Sequence, residues 1–106
     1  MTATFSCHVL DVVRGLPAAG LALSVHTSDG SVQPAVTDPE GRVQLTAPIP
    51  DGITTVTFET GAWFTARDQA CFYPEVAVRF TCCTAGEHHH IALVLGPYGY
   101  STYRGS

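Results

Sequence analysis

Turn signals recur about every ten residues along the chain, and this spacing is the feature that most limits the fold. They are RGLP at 14–17, SDGS at 28–31, DPEG at 38–41, PIPDG at 48–52, TAGE at 84–87 and GPYG at 96–99. Between them lie short runs rich in valine, threonine, phenylalanine and leucine, which are typical of a β-sandwich or barrel. The sequence therefore predicts an all-β domain with strands near 5–13, 21–28, 31–37, 42–47, 54–60, 75–83, 88–95 and 99–104.

Alternation of apolar and polar residues indicates which side of each strand faces the core. The rows expected to face inward are Leu21, Leu23 and Val25, then Val56 and Phe58, then Val76, Val78 and Phe80, with Arg79 on the opposite side. Residues 61–70 have neither proline nor strict alternation, so they could form either a short helix or an irregular connection.

The DPEG turn is the most specific local signal. Pro39 presets φ at the second turn position, and the Asp38 side chain can accept a local hydrogen bond at the first. Gly41 supplies the left-handed residue that closes a type I turn with a bulge. Arg42 is therefore expected to begin a strand from a rigid corner, either as a positioned cation or as a solvated end of the strand.

Composition excludes several classes of protein. The 106 residues predict a single domain spanning 1–106, with 45% hydrophobic and only 13% charged residues. The net charge is −4, and no basic patch suggests a nucleic-acid partner. No stretch approaches the roughly 20 apolar residues of a membrane span. So few charges suggest that another copy of the chain covers part of the surface.

Cysteine usage and the first residues predict a cytoplasmic protein. MTATFSCHVLDVV lacks the charged, apolar and small-residue regions of a signal peptide. The four cysteines show no CxxC spacing, and we expect them to be buried free thiols. No GxGxxG or phosphate-binding loop occurs, so no cofactor is expected.

Five histidines occur, three of them consecutive at 88–90. In a strand, His88 and His90 share one face and His89 takes the other. Three interpretations remain open from the residues alone. The cluster could be structural, it could hold catalytic zinc together with His8, or a neutral imidazole could activate water while an arginine stabilises an oxyanion.

Other catalytic patterns are not evident. No GxSxG nucleophile motif is present, and none of the cysteines lies in a known local signature. The carboxylates are scattered over turns and strands, so a pair for glycosidic chemistry is not indicated. Water is therefore the expected nucleophile if the chain is a hydrolase.

Three stretches, CHVLDVVRGLPAAGL (7–21), TDPEGR (37–42) and HIALVLGPYGYSTYRGS (90–106), resemble the transthyretin-like 5-hydroxyisourate hydrolases. TFETGAWF and CFYPEVAVRF resemble the middle of that family, so the likeness spans nearly the whole chain. It implies a two-sheet transthyretin-like β-sandwich with one short helix, assembled as a homotetramer with sites in a channel between dimers. The implied substrate is 5-hydroxyisourate, and no metal is implied.

The resemblance also assigns roles to residues. The implied catalytic residues are His8, Arg42, His90 and Ser106, and the implied substrate-binding residues are His8, Arg42, Tyr103, Arg104, Gly105 and Ser106. His89 stands where the family usually has an aromatic residue, and we expect it to face away from the channel. Two alternatives are a small-molecule carrier like transthyretin and a structural β-sandwich module.

Overall fold

Two β-sheets pack face to face, and one short helix follows the sixth strand. The computed structural model describes residues 3–83 and 87–105. In chain order the elements are β1 (Thr4–Asp11), β2 (Leu16–Pro17), β3 (Ala22–His26), β4 (Val32–Val36), β5 (Arg42–Gln44), β6 (Gly52–Phe58), α1 (Thr60–Thr65), β7 (Val76–Cys82), β8 (His88–Leu95) and β9 (Tyr100–Gly105). The predicted two-sheet sandwich with one short helix is confirmed.

The first sheet has the order β2-β1-β8-β9, and β5 also pairs with β1. Its central pair, β1 and β8, is parallel, with eight residue pairs from Thr4↔His88 to Asp11↔Leu95. The second sheet has the order β4-β3-β6-β7 and is antiparallel throughout. All eight predicted strands occur, seven of them with shifted ends and β8 with its predicted bounds, while the two-residue strand β2 was not predicted.

The core lies between the sheets and follows the predicted alternation. From Phe5 onward β1 alternates buried and partly buried residues, whereas Thr4 is exposed. Phe5 and Val9 of β1 pack opposite the predicted inward rows of the second sheet, in which every residue except the half-buried Phe80 is fully buried. Because a strand buries every second residue, Ser6 and His8 of β1 are left on the outer face.

Residues 61–70, for which a short helix and an irregular connection were both possible, contain most of α1 (Thr60–Thr65). The side chain of Arg67 binds the end of this helix. Arg67 donates hydrogen bonds to the carbonyls of Trp63 (3.1 Å) and Ala19 (2.9 Å). Its guanidinium carbon also lies 3.8 Å from the centre of the Trp63 ring, a cation–π contact. Three residues after the end of the helix, Asp68 has a left-handed φ of 55°.

The predicted DPEG turn is confirmed in detail. Gly41 has φ 74°, and its N–H donates to the Asp38 carbonyl at 2.8 Å. The Asp38 carboxylate accepts from the backbone N–H groups of Glu40 and Arg42, both at 2.9 Å. Three short-range bonds thus fix the corner from which β5 starts.

The cysteines are all free, but they are less buried than expected. Cys7 and Cys82 are buried, Cys71 is half-buried and Cys83 is exposed. Cys83 follows the last residue of β7, so its side chain is outside the sandwich. Among the described residues, no helix is both long and apolar enough to cross a membrane.

The glycine at the turn is predicted to be essential for stability. A Cβ at Gly41 would lie 2.5 Å from the Val9 carbonyl oxygen, whereas a Cβ at Gly30 would meet nothing within 4 Å, although its φ of 87° is also left-handed. Gly30→Ala should cost about 1 kcal/mol for the backbone conformation alone. Gly41→Ala should cost about 3 kcal/mol, because a backbone clash is added. Urea unfolding of both variants measures the difference, and equal losses would contradict the clash.

Candidate active site

Four strands of the first sheet bring polar side chains together on its outer face. In one row across the sheet, Arg42 of β5 lies opposite His8 of β1, His8 opposite Ala92 of β8, and Ala92 opposite Tyr103 of β9. The neighbouring row on the same face is Gln44, Ser6, His90 and Gly105. Strand register therefore brings together residues from both ends of the chain.

These two rows form the floor of a concave pocket of about 540 Å³. That volume lies within the range of about 300–1,000 Å³ typical of small-molecule sites. Besides the two rows, the lining includes Asp38, His88, Cys7 and Val43. The pocket thus contains His8, Arg42 and His90, three of the four residues that the resemblance implies to be catalytic.

A chain of hydrogen bonds joins His88 and His90, the two outward-facing histidines of β8. Ser6 Oγ lies 2.7 Å from His90 Nδ1 and 2.7 Å from His88 Nε2. Thr4 Oγ1 lies 2.6 Å from His88 Nδ1. Because Nδ1 of His90 is hydrogen-bonded to Ser6, Nε2 is the ring nitrogen available to other groups. Within residues 3–83 and 87–105, Nε2 has no hydrogen-bond partner.

The surroundings of His90 favour its neutral form. Burial is the main cause that lowers the pKa of His90 below its ordinary value of 6.5, and the positive charges of His88, His8 and Arg42 lower it further. At neutral pH the ring is therefore an uncharged imidazole, the form that can accept a proton from water.

Arg42 is an available cation beside the histidines. Its side chain is exposed, and its guanidinium has no hydrogen-bond or ion-pair partner among the described residues. Arginine stays charged and offers several donors in a planar fork, which suits an oxygen-rich ring or an oxyanion. Its backbone is fixed by the Asp38 turn, so the cation starts from a rigid base.

Cys7 does not provide a nucleophile. Burial raises the pKa of its thiol to about 12, although a hydrogen bond with the Val43 backbone acts in the opposite direction. The reactive form of cysteine is the thiolate. A protonated, fully buried thiol next to His8 is therefore part of the core, and water remains the available nucleophile.

The terminal segment contributes to the pocket through two of its four predicted residues. Tyr103 and Gly105 line it. A Cβ at Gly105 would overlap Cδ2 of the His90 ring, so the absence of a side chain lets the imidazole lie against β9. Arg104 points elsewhere, with Nη2 3.4 Å from a Glu87 carboxylate oxygen. Ser106 lies outside the described residues.

His89 faces the opposite side of β8, as the alternation predicts. It is buried, and its ring stacks on Phe80 with centroids 5.6 Å apart. Its Nδ1 has no hydrogen-bond partner within the described residues, and its Nε2 lies 3.8 Å from a Glu87 carboxylate oxygen. His89 therefore belongs to the core and does not touch the pocket.

The histidine cluster does not have the geometry of a metal centre. Across the part of the chain that the structure describes, no group of three or more His, Cys, Asp or Glu side chains could hold a metal ion. The interpretation of His8, His88 and His90 as zinc ligands thus receives no geometric support.

Sequence reasoning missed Ser6 and Gln44. Ser6 is two residues before His8, so alternation alone places both on one face of β1. Gln44 bears the same relation to Arg42. The contact of Ser6 with two histidines more than eighty residues away depends on the pairing of β1 with β8, which no local pattern reveals.

Comparison with known proteins agrees with this geometry. The model of the HIUase/Transthyretin family matches residues 5–105. A probable 5-hydroxyisourate hydrolase of Schizosaccharomyces pombe is 39% identical over 95% of this chain and 90% of its own length. The solved Klebsiella pneumoniae 5-hydroxyisourate hydrolase superposes with a TM-score of 0.88 at 34% identity, over 98% of this chain and 94% of that one.

A carrier of the same fold is also similar. Sea bream transthyretin, solved in complex with thyroxine, has a TM-score of 0.85 and 31% identity, covering 95% of this chain and 93% of its own. The family match extends over almost every residue and includes every member of both rows of the pocket. On this evidence the chain belongs to the HIUase/Transthyretin family.

Proposed function

We propose that this protein hydrolyses 5-hydroxyisourate, opening its six-membered ring to give 2-oxo-4-hydroxy-4-carboxy-5-ureidoimidazoline. The observation that carries the proposal is the convergence of His8, Arg42 and His90 in one pocket. The similar proteins of Schizosaccharomyces pombe and Klebsiella pneumoniae bear the name of this activity. Hydrolysis of a cyclic amide needs a base for water and a cation for the carbonyl oxygen, and the pocket contains both.

In the proposed mechanism His90 is the base. Its Nε2 takes a proton from water as the water oxygen attacks a ring carbonyl, and Arg42 stabilises the negative charge that develops on the carbonyl oxygen. The ring C–N bond then breaks, and the leaving nitrogen receives a proton. His8, in the row next to His90, orients the water or the ring. Tyr103 and the terminal Ser106 shape the pocket around the substrate.

A carrier function is the second candidate, because sea bream transthyretin binds thyroxine on the same fold. The lining of the pocket argues for catalysis instead. It includes three histidines, an arginine and an aspartate, whereas a carrier of apolar ligands needs an apolar channel. Deletion of residues 103–106 separates the two, since a carrier should tolerate it and the hydrolase should lose its activity.

Replacing the histidines tests the catalytic assignment. His90→Asn and His8→Asn should each lower kcat/KM at least about 100-fold, because removing a general base costs roughly 10²–10⁴-fold. His26→Asn is the matched control, an exposed histidine on β3 of the other sheet, and should leave the rate unchanged. The measurement is the loss of ultraviolet absorbance of freshly generated 5-hydroxyisourate. Equal rates for the wild type and His90→Asn would refute the assignment.

The same assay across pH tests His90 as the base. Because the pKa of His90 is lowered, the neutral imidazole persists to lower pH than that of an ordinary histidine. The rate should therefore fall on the acid side with a midpoint below 6.5, the ordinary value. A midpoint at or above 6.5 would contradict this role.

We further propose a cytoplasmic homotetramer whose sites are completed between subunits. β9 is an edge strand, and its outer edge pairs with no other strand among residues 3–83 and 87–105. Tyr98, Tyr100 and Tyr103 in and before it are exposed. Unpaired edges are sites of strand addition between chains. Free cysteines agree with a reducing compartment.

Sedimentation equilibrium tests the assembly. A mass of four chains of 11.2 kDa is expected. Arg substituted for Thr102, which faces away from the pocket on β9, should weaken pairing at this edge by placing like charges opposite each other in the two copies. A wild-type monomer with full activity would contradict the proposal.

A further inference from the structure

The hydroxyl of Ser6 is a bridge between two imidazoles. It lies 2.7 Å from a nitrogen of each ring, and His88 is in turn 2.6 Å from the hydroxyl of Thr4. Ser6 and His90 are half-buried, while Thr4 and His88 are exposed. The chain of groups therefore runs from the pocket to solvent without a gap.

The single proton of the Ser6 hydroxyl limits which hydrogen bonds this bridge can form. A serine hydroxyl has one proton to donate and two lone pairs. Between two neutral imidazoles it must donate to one ring and accept from the other. If Ser6 donates to His88 Nε2, then His90 Nδ1–H donates to Ser6, and His90 Nε2 carries a free lone pair. If Ser6 donates to His90 Nδ1 instead, His90 Nε2 carries the proton.

We propose that Ser6 is a positioning residue that couples the tautomer of His90 to that of His88 and passes the proton taken from water out to His88. The inference rests on the proposed hydrolase function. In the resting state Ser6 Oγ accepts a hydrogen bond from His90 Nδ1–H. His90 Nε2 is therefore unprotonated, and its lone pair faces the pocket. Ser6 thus decides which nitrogen of His90 is basic.

The proton count closes over the reaction. Water supplies two protons, of which His90 Nε2 takes the first. As it does so, the Nδ1 proton of His90 moves to Ser6 Oγ, and the Ser6 proton moves to His88 Nε2. The exposed His88 then releases its Nδ1 proton to Thr4 or to solvent. His90 is left with its proton on Nε2, ready to protonate the leaving ring nitrogen.

The negative charge formed in the reaction ends on the carboxylate of the product. The hydroxyl that joined the carbonyl carbon becomes a carboxylic acid, which ionises at neutral pH. One proton of water therefore ends on the leaving nitrogen, and the other enters solvent. As Nε2 gives its proton to the nitrogen, solvent returns a proton to His88 Nδ1 and the chain of hydrogen bonds reverses in the same step. His90 Nδ1 thereby regains its proton, and Nε2 again carries a lone pair. The carboxylic acid proton is then released to solvent.

The surroundings of His90 hold this geometry. The titratable or charged groups that act on it are His88, His8 and Arg42. Its pairing partner on β9 is Gly105. Gly105 lies against the ring and leaves no room for a side chain. The register Ser6↔His90 places the hydroxyl beside Nδ1 from the neighbouring strand. The ring is therefore packed on one side and hydrogen-bonded on the other.

Three substitutions test the bridge. Ser6→Ala removes the hydroxyl, and Ser6→Thr keeps it. Ser24→Ala is the matched control, because Ser24 is also half-buried on a strand but lies in the other sheet, away from the pocket. Ser6→Ala should lower kcat by about tenfold, the size seen when the outer partner of a metal-bound imidazole is removed. KM should stay within about twofold, since Ser6 is not among the residues proposed to bind the substrate.

Two further readouts would not respond to a merely structural role. In ¹⁵N NMR of the unliganded protein, His90 should be mainly the Nδ1–H tautomer in the wild type and in Ser6→Thr, and a mixture in Ser6→Ala. In mixtures of light and heavy water, kcat of the wild type should curve with deuterium fraction, because several protons move together. In Ser6→Ala the dependence should become linear.

The outcomes separate the two proposals. If the wild type does not hydrolyse 5-hydroxyisourate, the proposed function fails, and this inference fails with it. If the wild type is active while Ser6→Ala keeps its kcat, its curved isotope dependence and its His90 tautomer, only the bridge is refuted. Loss of rate and curvature in Ser6→Ala, recovery in Ser6→Thr and no change in Ser24→Ala would establish it.

Discussion

The parallel pairing of β1 with β8 is the constraint on which the rest of the structure depends. Eight residue pairs in one register join segments more than eighty residues apart. On the inner face this register pairs Cys7 with Ile91 and Val9 with Leu93, and all four are buried. On the outer face it sets His8 and Ser6 beside His90. A slip of one residue would exchange the faces, so burial of the core and assembly of the pocket are enforced together.

The three consecutive histidines show what each face of a strand permits. His88 and His90 lie outward, where hydroxyl groups hydrogen-bond both ring nitrogens of His88 and Nδ1 of His90. His89 lies inward against Phe80, and its Nδ1 has no partner among the described residues. A buried polar atom without a hydrogen bond costs about 1–3 kcal/mol. Polar groups on the outer face can thus find hydrogen-bond partners, whereas a polar group in the core lowers the stability when it lacks one.

Much of the fold could be predicted from the sequence because its signals are local. The Asp38 turn, the alternating strands and the opposite facing of His89 all depend on neighbours within a few residues. β2 was missed because two residues carry no periodicity. Ser6 as a partner of both histidines, and Arg104 as a partner of Glu87, could not be predicted, because each depends on strand register across distant parts of the chain. The exposure of Cys83 follows from where β7 ends, and sequence patterns locate such ends poorly.

The central claim is that Arg42 from β5 and His90 from β8 act on the same bound molecule. A double-mutant cycle on kcat/KM, with Arg42→Gln, His90→Asn and the double variant, tests it most directly. When two groups stabilise the same transition state, removing the second after the first costs little more activity. The double variant should therefore be far more active than the product of the two single losses predicts. Losses that simply multiply, or a single variant that retains full activity, would contradict the account.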